Sequence, residues 1–128
     1  MEYQAEFEIN TNDKVLFEFL STAGGLQQWM AEDVKVLDSD AFEFLMDGEA
    51  YKVKLVSSKP FKYVKFEFFE LEMEEGVVPF LEFKLEVNDI TQEKYLVVND
   101  ASTLVDSQEE CYEIWGSMIA ELKDIIGA

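Results

Sequence analysis

Residues 107–126 read S-Q-E-E-C-Y-E-I-W-G-S-M-I-A-E-L-K-D-I-I. Cys111, Trp115, Met118, Leu122 and Ile125 recur at spacings of four, three, four and three, the period of one helical face. Tyr112, Ile119 and Ile126 widen the stripe. Ser107 with Glu110 three residues on has the form of a capping box. A helix of about twenty residues spans about 30 Å, so its apolar stripe needs a large surface to cover it.

The rest of the chain supplies that surface as strands. Residues 2–9 alternate strictly, with Tyr3, Ala5, Phe7 and Ile9 on one face and Glu2, Gln4, Glu6 and Glu8 on the other. Residues 42–46 run into Asp47-Gly48, the pair that favours a two-residue type I′ turn. That turn sets Phe44 opposite Tyr51, Phe42 opposite Val53 and Glu43 opposite Lys52. Residues 61–69 direct Val64, Phe66 and Phe68 to one side. Residues 81–87 do the same with Leu81, Phe83, Leu85 and Val87. Residues 93–99 form a strand whose faces the pattern does not sort, and a short strand near Val34–Leu37 brings the total to about seven. One-sided alternation points to an antiparallel sheet with one wet face. The apolar face of that sheet is the surface on which the last helix must lie.

Between the first strand and the sheet come two short helices. T-N-D-K-V-L-F-E-F-L opens with capping residues and places Val15, Leu16, Phe19 and Leu20 on one face. S-T-A-G-G-L-Q-Q-W-M follows, with Ser21 or Thr22 able to cap a second helix. Gly24 and Gly25 are poor mid-helix residues, so the turn between the helices is expected close by.

Composition narrows the function. The 128 residues, with eleven Phe, suffice for one domain with a substantial core. The formal net charge is −18, all ten positive charges are Lys, and there is no Arg or His. Nucleic acid is therefore not an expected partner, since phosphate binding needs clustered basic groups. No apolar run is long enough to cross a membrane. The alternating N-terminus lacks the basic start and apolar block of a signal peptide. One cysteine permits no internal disulfide. A cytoplasmic setting is the expectation. Ligand count excludes zinc, and the calcium-loop-like D-S-D-A-F-E at 38–43 lacks the third acidic position and the central glycine. No cofactor is expected.

The order of elements is the helix-grip arrangement, and the segment at 21–30 resembles a pattern of the START-like (SRPBCC) superfamily, matched here by Thr22, Gly25, Leu26 and Trp29. The branch it is most similar to is that of bacterial homologues of the heat-shock-protein ATPase activator; the closing helix, with Trp115 and Leu122-Lys123, looks like that branch too. The resemblance implies an α+β fold, residues 1–128 as a single START-like domain, in which a curved sheet grips the last helix on its concave face around a cavity. It implies a module that holds an apolar or amphipathic small molecule or lipid. A chaperone-regulating or other protein-interaction domain, with a protein partner or a homodimer, is the alternative. A cyclase- or hydrolase-like enzyme is the second alternative; it is weakened because the His or Arg often found in those cavities is absent here.

Candidate ligand contacts follow from inward positions on the sheet and last helix: Phe44, Tyr51, Phe66 and Phe83, then Tyr112, Trp115, Met118 and Ile119. Each has a plainer reading as core. Trp29 is either a residue of the cavity mouth or the anchor that pins the short helices to the sheet. Gly116 is costly in mid-helix, about 1 kcal/mol against Ala; such a site usually needs close approach or open space, and the expectation is that Gly116 marks the cavity and belongs with the ligand contacts. Tyr51, Tyr63 and Tyr95 could orient a ligand through one hydroxyl, Tyr51 having the inward register. Cys111 lies on the buried stripe without a basic neighbour and is expected to be inert. Lys52, Lys54 and Lys65 form a basic island that either balances Glu43 and Glu67 or docks an acidic partner. The apolar stretch Met73, Val77, Val78, Pro79 and Phe80 could cap a cavity or form a dimer contact.

Overall fold

In the computed structural model, which describes residues 2–69, 76, 78–102 and 104–128, Asp47 and Gly48 both adopt positive φ (51° and 78°). That is the type I′ geometry, whose twist matches that of the flanking strands. It joins β3 (Ala41–Met46) to β4 (Glu49–Lys59) with Phe44 facing Tyr51, Phe42 facing Val53 and Glu43 facing Lys52. The remaining strands are β1 (Tyr3–Glu8), β2 (Asp33–Val36), β5 (Tyr63–Phe69), β6 (Phe80–Val87) and β7 (Lys94–Asp100). They form one curved antiparallel sheet in the order β1-β7-β6-β5-β4-β3-β2. A bulge between Leu55 and Ser57 shifts the β4–β5 register; bulges of this kind bend the bulged strand.

Alternation places the core as expected on β5 and β6, where Val64, Phe66, Phe68, Leu81 and Phe83 are buried. Three details differ. The strand expected from residue 61 starts at Tyr63, because Phe61 holds a positive φ in the preceding turn. Val87 is exposed, since it ends β6 opposite Lys94, where the hairpin leaves the core. On β7 both faces are buried: Leu96, Val98 and Asp100 alternate with Val97 and Asn99. On the outer side of β7, Gln4 Nε2 donates to Asn99 Oδ1 (2.8 Å) and Asn99 Nδ2 donates to Glu82 Oε1 (2.9 Å).

The short helices are α1 (Asp13–Ser21) and α2 (Ala23–Trp29). Asn12 caps the first and Thr22 the second, whose hydroxyl accepts from Gly25 N at 3.0 Å. The break falls at Thr22, before the glycines, so both lie within α2. Gly25 is required by proximity: a Cβ there would stand 2.3 Å from Glu18 O and 2.6 Å from Phe19 Cα. Leu16 and Leu20 are buried as expected, but Val15 is exposed, because this two-turn helix turns a narrow face centred on Leu16 and Leu20 to the core.

The last helix, α3 (Gln108–Ile126), is capped by Ser107, whose hydroxyl accepts from Glu110 N at 3.0 Å. Cys111, Trp115, Ile119 and Leu122 are its buried residues. Trp115 sets its position. The indole ring meets Phe83 at 5.6 Å and Trp29 at 6.2 Å, and Nε1 donates to Asp100 Oδ2 at 2.8 Å. Two expectations for the stripe are corrected. Ile125 is exposed in the final turn, and Tyr112 is 57% exposed, lying outside the stripe where its ring stacks on Phe7 of β1 at 5.4 Å.

Two stability outcomes follow. Gly25→Ala is expected to cost about 2–3 kcal/mol, because a backbone neighbour must move, whereas Gly24→Ala, whose Cβ meets nothing within 4 Å, is expected to gain up to about 1 kcal/mol. Urea unfolding of the two variants checks the contrast. Trp115→Phe removes the donor to a buried carboxylate and is expected to cost about 2 kcal/mol or more. A double-mutant cycle with Asp100→Asn should show coupling above about 0.5 kcal/mol; additivity would mean that the bond does not hold the helix.

Candidate functional site

Antiparallel pairing brings the end of β3, the start of β4, the end of β5, the start of β6 and the end of β7 to one end of the sheet. At that end the helix and the strands do not close on each other. A cleft of about 550 Å³ remains. Its sheet wall is Met46, Tyr51, Phe68, Leu81 and Asp100. Its helix wall is Ile114, Trp115 and Met118, with Glu113 and Ser117 beside them. Met30 and Glu32 close one side from the α2–β2 connection, Asp47 contributes from the β3–β4 turn, and Ser102, Leu104 and Val105 close the other from the β7–α3 connection. Most of the lining is apolar, with polar groups gathered at particular points, as small-molecule sites are generally built.

Three of the residues singled out from sequence meet in this cleft: Tyr51, Trp115 and Met118. Phe44, Phe66, Phe83 and Ile119 do not line it. They are almost fully buried in the core, Phe44 and Phe66 packing edge to face at 5.6 Å. Trp29 is placed as the anchor rather than at the mouth. Its ring lies 5.6 Å from Phe83, and its Nε1 donates to Phe19 O at 2.9 Å, tying α2 to α1 and to the sheet. Its neighbour Met30 takes the position at the cleft. Tyr112 points away, stacked on Phe7. Gly116 also turns from the cleft: a Cβ there would meet Phe7 Cε1 at 3.5 Å. The structure therefore places this glycine against β1, where a Cβ would make an ordinary contact, and not at the cleft. Of the tyrosines, Tyr63 and Tyr95 alternate with inward Val64 and Leu96 and lie on the outer face, while Tyr51 faces the cleft. The Tyr51 hydroxyl donates to Glu49 Oε2 at 2.7 Å; that bond, together with burial, raises its pKa above the usual value.

The residue that sequence reasoning missed is Asp100. It is 2% exposed, yet lines the cleft. Its Oδ1 accepts from Ser102 N at 2.9 Å and from Ser102 Oγ at 2.5 Å, and its Oδ2 accepts from Trp115 Nε1. All three donors are neutral. A buried carboxylate with its lone pairs satisfied in this way is tolerated where an orphaned one is not. Nearby Cys111 is fully buried, and burial with the Asp100 charge pushes its thiol up to about 11. That agrees with the expectation of an inert thiol.

On the outer face Lys54 lies 3.9 Å from Asp40 and Lys65 sits 4.3 Å above the Phe80 ring. Lys52 faces Glu43, Lys54 faces Glu67 and Lys65 faces Glu82 across the strands, which fits charge balance across the sheet. In the apolar stretch 73–80, Met73 and Val77 lie outside the described residues, while Val78 is exposed and Pro79 buried. Among the described residues no group of acidic or sulfur ligands could hold a metal ion, and no helix is long and apolar enough to cross a membrane.

Comparison with known proteins agrees with this architecture. The Aha1 dimer from Colwellia psychrerythraea superposes with a TM-score of 0.78 at 18% identity, covering 98% of this chain and 96% of that one. A protein from Mesorhizobium loti gives 0.74 at 12% identity, with 99% and 97% covered. A Bacteroides fragilis protein gives 0.62 at 23% identity, with 98% and 90% covered. Identities this low show a common fold. No curated protein sequence matches the chain. The START-like superfamily domain profile matches residues 1–128, and the chain therefore belongs to the START-like superfamily.

Proposed function

We propose that this protein is a small binding module that holds an apolar or amphipathic small molecule or lipid between α3 and the sheet. The observation that carries the reading is the cleft: at about 550 Å³ it falls inside the range of about 300–1,000 Å³ typical of ligand sites. Trp115, Phe68, Leu81 and Met118 provide apolar wall, and burial against it contributes about 25 cal/mol per Å² of ligand surface. Met30, Met46 and Met118 are flexible side chains that adapt to irregular apolar shapes. Tyr51 orients the ligand at one point. Trp29, Phe44, Phe66, Phe83 and Ile119 support the wall from behind. A cytoplasmic location belongs to the same proposal and is consistent with one buried, unreacted thiol.

A second reading, a protein-interaction domain or homodimer, is favoured by one feature. The edge strand β2 and the residue after it expose Val36 (63%) and Leu37 (47%) at an end of the strand order, with no further strand beside them among the described residues. Such edges invite pairing with another chain, and a structural neighbour was solved as a dimer. Light scattering at twice the monomer mass supports this reading; a monomer that survives concentration sinks its homodimer form.

The cleft is tested with a neutral fluorescent probe, N-phenyl-1-naphthylamine. Saturable binding at one site is expected. Met118→Trp should fill the cleft and weaken binding at least about tenfold while the fold persists by circular dichroism. Gly116→Ala, on the opposite side of the helix, should leave binding unchanged and raise stability by up to about 1 kcal/mol. Equal binding by Met118→Trp and the parent protein would remove the cleft as the site.

A further inference from the structure

We infer that the cleft selects a cationic amphiphile, an apolar chain ending in an amine or quaternary ammonium group, over an anionic one such as a fatty acid. The inference rests on the binding-module reading above and adds the charge of the ligand. It stands on two separate features of the lining.

The first is charge. Among the described residues, four carboxylates border the cleft: Glu32, Asp47, Asp100 and Glu113. All ten lysines lie among the described residues, and none lines it. With no Arg or His in the chain, no cationic side chain stands ready to receive a ligand carboxylate or phosphate. An anionic head group would enter a site of like charge and lose hydration without recompense. A cation would meet the buried carboxylate of Asp100 along the wall and the exposed carboxylates of Glu32, Asp47 and Glu113 at the rim, where solvent screens each one but all are of opposite sign.

The second is the direction of the hydrogen bonds. The side-chain donors of the lining are already committed to carboxylates of the chain. Tyr51 donates to Glu49, Ser102 donates to Asp100, and Trp115 donates to Asp100. Only the Ser117 hydroxyl adds another side-chain donor to the described lining. What the cleft offers a ligand is therefore acceptors: the Tyr51 oxygen and the carboxylates. An ammonium group brings donors and no acceptors, which is the complement of that set. A quaternary ammonium has no N–H, and is held by charge and by the aromatic faces of Tyr51, Phe68 and Trp115.

The test is calorimetric titration with three probes of one chain length: decyltrimethylammonium, decanol and decanoate, at neutral pH and below micelle formation. Decyltrimethylammonium is expected to bind at least about tenfold more tightly than decanoate, with decanol between them. A variant carrying Glu32→Gln, Asp47→Asn and Glu113→Gln should lose most of that preference and keep its decanol affinity. Asn suits the positive φ at position 47, so the turn survives. A control carrying Glu6→Gln, Glu86→Gln and Glu121→Gln changes the net charge equally, away from the cleft, and should keep the preference. Decanoate binding as tightly as the cation overturns the charge inference and leaves the binding module standing. A preference that falls equally in both variants assigns it to overall charge and also overturns the inference. Binding of none of the three overturns both.

Discussion

The bond from Trp115 Nε1 to Asp100 Oδ2 is the contact on which the arrangement turns. A helix lying on a sheet by apolar contact alone can slide, because dispersion and desolvation have little direction. One directional bond between a helix residue and the last residue of β7 removes that freedom. The two rings that meet Trp115, Phe83 from the sheet and Trp29 from α2, then tie three elements together at one place. The Trp29 bond to Phe19 O carries the constraint on to α1. Sequence-distant segments thus converge on one indole.

The cleft is a consequence of that geometry. Toward β1 the helix comes close, with Gly116 bare against Phe7 and Tyr112 stacked on the same ring. Toward β3 and β4 the gap widens, and among the side chains that line it are Tyr51, Met46 and Met118, with Phe68 the one phenylalanine of the described lining. Close packing on one flank and a gap on the other make a wedge. The phenylalanines that could have filled it, Phe44, Phe66 and Phe83, are spent on the sheet's own core. Trp29, fully engaged as an anchor, leaves the mouth to Met30.

Much of this was legible in the residues, for reasons that can be named. The Asp47-Gly48 pair dictates a turn, the turn dictates the register, and the register puts Phe44 and Tyr51 inward, as observed. The four-three spacing on α3 marks its buried face through Leu122; it overreaches at Ile125, which is exposed in the final turn while Ile126 packs against the core. The faces of β7 were hidden because Leu96 to Asp100 are buried on both sides, which erases alternation. Asp100 was hidden in another way. Among 28 acidic residues one carboxylate does not stand out, and Asn99-Asp100-Ala101-Ser102 reads as the turn after a strand. Carrying the two-residue period on from Leu96 and Val98 would have put Asp100 inward. Gly116 was ambiguous in principle, since a bare helix position signals proximity or emptiness alike, and only the neighbour across from it decides which.

The burial of Asp100 also bears on the cleft itself. A carboxylate facing a sealed apolar core is costly even with its hydrogen bonds made, and a well-packed apolar replacement is often no less stable. Here the acid lies at the border of core and cleft, with three neutral donors on its two oxygens and open space on one side. The same group thus fixes the helix through Trp115 and stands at the border of the gap beside it, so that the anchor and the polar point of the cleft wall are one residue.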